Sequence, residues 1–196
     1  MKTEMRLVDS ELLEDRWPQE GDSLFPKTER AIDIFIAGSA DERLYRLPRG
    51  YKLAGDILID GIAAGGIEKS SLIFPALFCY RQSLELFIKS ILERFGQGVE
   101  NTHNLKFLWT EFKQLADDRD HANTDGLETV EKMITEMHEA DQRSDAFRFA
   151  TDSSGESFDF SNRRLDVAQL CECMQALQNF FECCYLSFSE QDDYPR

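Results

Sequence analysis

No run of apolar residues in this 196-residue chain approaches the ~20 needed to cross a bilayer as a helix. The opening MKTEMRLVDSELLEDRW also carries acids where a signal peptide would carry its apolar core. These two absences predict a soluble, cytoplasmic protein with no membrane partner. Positive charge is scarce as well: 22 Lys and Arg stand against 37 Asp and Glu, a formal net charge of −15. General DNA binding through phosphates needs a basic surface that releases counterions, so that function class is excluded and only a local basic pocket remains open. Histidine is rarer still. His103, His121 and His138 show neither an HExxH pattern nor paired ligand spacing, so no metal site and no cofactor is expected.

The five cysteines, Cys79, Cys171, Cys173, Cys183 and Cys184, are odd in number, with four in one predicted helix, unlike a disulfide framework. Reduced, partly buried thiols are expected. The segment GIAAGGIEKSS resembles a phosphate loop only in its glycines, because Ile67 stands where lysine must directly follow Gly66. In DDRDHANTDGLE, His121 would occupy the first position of a calcium loop, where an acid is required. There is no GxSxG, no internal repeat and no low-complexity segment.

With 42% hydrophobic residues the chain can build one good core, and two would be a tight fit. Residues 1–50 read as an irregular N-terminal arm packed by a few aromatics (Trp17, Phe25), with a short helix in TERAIDIFIAG and a turn at RLPRG. Residues 51–188 read as a helical bundle and 189–196 as a disordered tail. Inside the bundle, YKLAGDILIDGIAA, a long helix starting near Phe74 with Pro75 in its first turn, and THNLKFLWTEFKQLADD capped by Thr102 or Asn104 all show apolar residues at helical spacing. DGLETVEKMITEMHEAD adds another helix, opened by an Asp125/Glu128 capping-box variant, and LDVAQLCECMQALQNFFECCYLSF closes the series. Phe147, Phe149, Phe158 and Phe160 around Gly155 suggest a short extended excursion before that last helix. The expected fold class is all-α, an up-and-down bundle of four or five helices.

The stretch FCYRQSLELFIKSIL raises a chemical question. At about 100° per residue, Phe74, Leu77, Leu84, Ile88, Ile91 and Phe95 share one face, and Gln82, Lys89, Ser90 and Glu93 point away. Arg81 falls near the middle of the apolar face. Its guanidinium cannot discharge, so it must be paired or must reach a wet cleft, and Glu85 four positions on is the nearest partner. A buried ion pair without catalytic role is one reading; a polar site inside the bundle, lined by Arg81, Glu85, His103 and Arg148, is the other. Arg163 and Arg164 flank the start of the last helix, where they oppose its dipole.

The order LAGDILID, FPALFCYRQSLELFIKSIL, HNLKFLW, FRFATDSSG and LDVAQLCECMQALQNFF is similar to bacterial helical proteins of the HEPN (higher eukaryote and prokaryote nucleotide-binding) superfamily, over residues 51–185. The resemblance implies a helical bundle, frequently a homodimer with a cleft between protomers, and in many members a metal-independent ribonuclease of defence systems. The catalytic signature of such proteins is an Arg followed after four to six residues by a His. None of the three histidines here has an arginine at that spacing, and Gln82, which cannot exchange a proton near neutral pH, stands where relatives tend to have a His beside the Arg. The resemblance therefore implies a non-catalytic or degenerate, dimeric interaction or nucleotide-sensing module of bacterial defence or stress response. An endoribonuclease with a rearranged centre, in which Arg81 or Arg148 meets phosphate charge and His103 moves protons, is the alternative, and a purely structural subunit with a basic partner is a third.

Overall fold

The computed structural model describes residues 17–20, 22, 38–65, 69–96, 98–119, 126–160 and 164–193. The chain divides into two units, Met1–Ala37 and Gly38–Arg196. In the first, Asp22 N–H donates to Gln19 O (3.0 Å) and Gln19 N–H to Asp22 Oδ2 (2.8 Å), which closes a polar turn. Trp17 beside it is 78% exposed, so it does not act as the packing aromatic expected of the arm. The helix expected in TERAIDIFIAG and the residue Phe25 lie outside the described residues.

Among its described residues the second unit is an all-α bundle of five helices: α1 (Ala40–Ala63), α2 (Lys69–Phe95), α3 (Leu105–Asp118), α4 (Leu127–Ala140) and α5 (Val167–Asp193). Among the described residues there is no β-strand, and no helix is long and apolar enough to cross a membrane. α2 is the central element, packed against α1, α3 and α5. Its Leu84, Ile88 and Ile91 meet Leu105, Leu108 and Phe112 of α3 and Met174, Leu177 and Phe181 of α5 in one core. Phe87 stacks on Phe181 at 5.7 Å and Trp109 on Phe112 at 5.0 Å, an aromatic layer in which each ring removes on the order of 2 kcal/mol of apolar surface from water.

Several boundaries differ from the sequence expectation, each for a local reason. RLPRG is not a turn: α1 runs through it and starts at Ala40, so the bundle begins well before residue 51. Proline interrupts a helix by removing a donor. Here Pro48 is buried, its carbonyl accepts from Ser83 Oγ on α2 (2.8 Å), and Arg49 Nη1 donates to Tyr45 O (2.6 Å) in the interrupted turn. The start of α1 is set by Ser39, whose hydroxyl accepts from Glu42 N–H while Glu42 Oε2 accepts from Ser39 N–H, a full capping box. α2 likewise begins at Lys69, which puts Pro75 inside the helix rather than in its first turn. Leu72 and Ile73 pack on the core and hold the turn before it.

Ser90, expected to face water, is buried and donates to Phe87 O, because α2 is covered on nearly every side. Phe74, expected on the apolar face, is 38% exposed. Asn104 caps α3, its Oδ1 accepting from Phe107 N–H at 3.0 Å. At the start of α4, Gly126, at φ 95°, holds the N-cap position without a side-chain bond; Asp125, one half of the expected capping box, lies outside the described residues. The excursion between α4 and α5 is hairpin-like, with one bridge between Thr151 and Ser157 and a left-handed Gly155 at its tip. α5 continues through Asp193 into the segment expected as tail. Arg119 anchors that last stretch, donating to Phe188 O and Asp192 Oδ1 while its own carbonyl accepts from Gln191.

Candidate functional site

Two neighbours on α2, Tyr80 and Arg81, leave the helix about 100° apart and build two separate polar centres. Arg81 has no exposed surface. Its Nη1 donates to Glu85 Oε2 at 2.7 Å, its Nε to Asp141 O at 3.1 Å and its Nη2 to His103 O, with Asp141 Oδ2 3.5 Å from Nε. One guanidinium thus ties α2 to the residue before the cap of α3 and to the end of α4. Asp141 is shaped to receive it, because its Oδ1 accepts the N–H groups of Asp145 and Ala146 and so orients the other oxygen inward.

Glu85 is 1% exposed and receives more than Arg81: Lys89 Nζ donates to its Oε1 at 2.8 Å and His103 Nδ1 lies 2.9 Å from the same oxygen. Burial pushes its carboxyl up, but the hydrogen bonds and charges of Lys89 and Arg81 outweigh this and hold it below the usual glutamate range. An ionised carboxylate only accepts, so the proton between Glu85 and His103 sits on Nδ1. In the neutral imidazole His103 Nε2 is then the acceptor nitrogen of a half-exposed ring, the arrangement of a carboxylate-oriented general base.

Of the sequence candidates, Arg81, Glu85 and His103 therefore come together. Arg148 does not join them. Its Nε donates to Ser144 O, and its guanidinium lies 5.4 Å from the Phe78 ring centre and 5.2 Å from that of Phe149. Arg164 is exposed just before α5, whose first N–H groups, at Ala168 and Gln169, are capped by Asp166 Oδ1; Arg163 and His121 lie outside the described residues.

The second centre escaped the sequence reading. Lys52, 5% exposed, donates to Asp56 Oδ2 at 2.7 Å and to Gln175 Oε1 on α5, while Tyr80 Oη donates to Asp56 Oδ1 at 2.8 Å. The signal was present: Lys52 and Asp56 sit four apart on the face of α1 that also carries Gly55, Ile59 and Ile62, and only that face is buried. Gly55 lets α1 lie directly on the Tyr80 ring, since a Cβ there would stand 2.5 Å from Tyr80 Cε1. Burial, then the bond to Asp56, pushes the Tyr80 hydroxyl far above its usual range, so it stays a donor.

A cleft of about 650 Å³ is lined by residues of α2, α4 and α5. Leu77 and Leu84 line it from α2, Met133 and Met137 from α4, and Met174 from α5, with Arg164, Glu136 and Asp166 as its charged members. Its size and mainly apolar lining are those of small-molecule sites. No family model, curated protein or solved structure matches the chain.

Proposed function

We propose that this chain is a non-catalytic, dimeric binding module of HEPN-like type, serving bacterial defence or stress response, with a structural polar centre. The observation that carries the reading is the complete enclosure of Arg81. A ribonuclease of this class needs a cation that touches phosphate, whereas this guanidinium offers ligand no surface and directs its donors to Glu85, Asp141 and His103. The ligand-receiving surface is instead the apolar cleft between α4 and α5, where Arg164 is the lining cation available to an anionic group such as a nucleotide phosphate. Incubation of mixed RNA with the purified protein at high concentration should yield no cleavage products, and nucleotides should raise the melting temperature of the native chain but not of Arg164→Glu.

One observation favours the rearranged endoribonuclease as a second reading. Glu85 Oε1 lies 2.9 Å from Nδ1 of the half-exposed His103 ring, the geometry of a proton-transfer dyad. Cleavage that survives Arg148→Ala but disappears in His103→Ala would establish that reading in place of the first.

A further inference from the structure

The outward side of α1 is unusually apolar for an exposed helix in so acidic a protein. Leu53 is 59% and Ile57 63% exposed, one turn apart, at the middle of the helix. The remaining exposed apolar side chains are placed differently: Phe74 and Leu165 line the cleft, Phe149 lies under Arg148, Leu186 is on α5, Tyr45 lies under Arg49, Leu47 is on α1 about a third of a turn round from Leu53, and Trp17 belongs to the first unit. Gly50 belongs to the same stripe as Leu53 and Ile57, and a Cβ built on it meets nothing within 4 Å. Gly50 is therefore a notch beside two knobs.

The charges that bound this stripe have a specific symmetry. Arg46 lies as far before Leu53 as Asp60 lies after it, on the same side of the helix, and the apolar stretch separates them. Gly50 and Ile57 are likewise placed on opposite sides of Leu53 at nearly equal distances. A helix laid antiparallel on a copy of itself, with the two-fold axis near Leu53, brings each Arg46 to the other Asp60 and each Ile57 over the other Gly50. Arg46 is bound only loosely within its own chain: its Nη2 stands 3.6 Å from Glu42 Oε1 in an exposed pair, and Glu42 is already held by the Ser39 cap. Asp60 has no ion pair among the described residues. A chain of net charge −15 repels itself over most of its surface, and this face combines apolar knobs with a balanced, self-complementary pair of charges.

We infer that the occupant of this face is a second copy of the chain, docked antiparallel along α1. The inference rests on the dimeric part of the reading above and gives it a surface. It is independent of whether the protein cleaves RNA or binds nucleotide.

Sedimentation velocity on the full chain tests it over roughly 1–200 μM, a range that brackets the micromolar affinity expected of a one-helix face at the small end of interface sizes. The native chain should convert from monomer to dimer within that range. Leu53→Glu should remain monomeric throughout. Gly50→Leu should also remain monomeric while its melting temperature holds or rises, because leucine fits the open space and favours helix, so loss of assembly cannot be ascribed to unfolding. Arg46→Glu and Asp60→Arg should each weaken the dimer by about tenfold, and the double exchange should restore it. A native chain that stays monomeric over the whole range overturns both the dimeric reading and this interface. A dimer indifferent to Leu53→Glu and Gly50→Leu overturns the α1 interface alone.

Discussion

The two sides of α2 show how the same kinds of residue serve different ends according to water. On the Arg81 side the guanidinium is fully enclosed and Glu85 and Asp141 are 1% exposed, so every charge there must be met by protein. On the Tyr80 side Lys52 is buried, but the Asp56 side chain retains 22% exposure, so water can take over for a lost partner. The first centre joins α2 to the loops around α3 and α4, the second joins α1, α2 and α5. A closed centre makes for strict geometry and a severe penalty on breakage. An open one tolerates loss.

Removing the cation from each centre measures that contrast. Arg81→Met should lower stability by about 3–5 kcal/mol, because it strands buried carboxylates. Adding Glu85→Gln should recover part of this, since one of the two acids facing the gap is then neutral, and chemical denaturation of the three variants reads the result. Lys52→Met should cost less, about 2 kcal/mol, with Asp56 turning to solvent. Equal losses at both sites would dissolve the distinction. Tyr80→Phe removes one neutral hydroxyl from the open centre and should cost about 1 kcal/mol in the same measurement.

Acidity separates the two sides more subtly. His138 is buried near the first centre, and burial together with the charges of Lys106 and Arg81 holds its pKa below the usual histidine range. The unfolded chain therefore binds a proton first, and stability should decline as pH falls below about 6.5. Glu85, held low in the fold, continues the decline below about 4.5. Tyr80 acts at the other end: its hydroxyl is held protonated in the fold, so stability should decline as pH rises above about 10, where the unfolded tyrosine ionises. Melting temperature against pH should lose the upper part of its acid limb in His138→Phe and the tyrosine part of its alkaline limb in Tyr80→Phe.

The pairing of Arg81 with Glu85 was legible from periodicity, because a charge in the middle of an apolar stripe leaves few solutions and a partner four residues on is the nearest. His103 was legible only as a candidate. Its carbonyl and its ring both serve the centre, and a backbone acceptor carries no mark in a sequence. Asp141 went unnoticed for a similar reason. It reads as an ordinary helix-end acid, and its role arises from the left-handed turn at Ser144 (φ 61°) that folds 141–146 back on itself. Arg148 was expected to line the same site, yet packing of its guanidinium against Phe78 and Phe149 keeps it from the Arg81 centre.

Helix class, a count of four or five helices and the placement of Arg81 on an apolar face were determined by the sequence itself, since period and caps are local facts. The continuity of α1 and α2 through Pro48 and Pro75 was not. Proline breaks a helix unless packing holds the turn around it, and that decision belongs to Ser83 for one and to the core contacts of Leu72 and Ile73 for the other. Tertiary structure also decided that Tyr80 and Arg81, adjacent in the chain, would found separate centres. Only the helices arrayed around α2 determine what a side chain leaving it will meet.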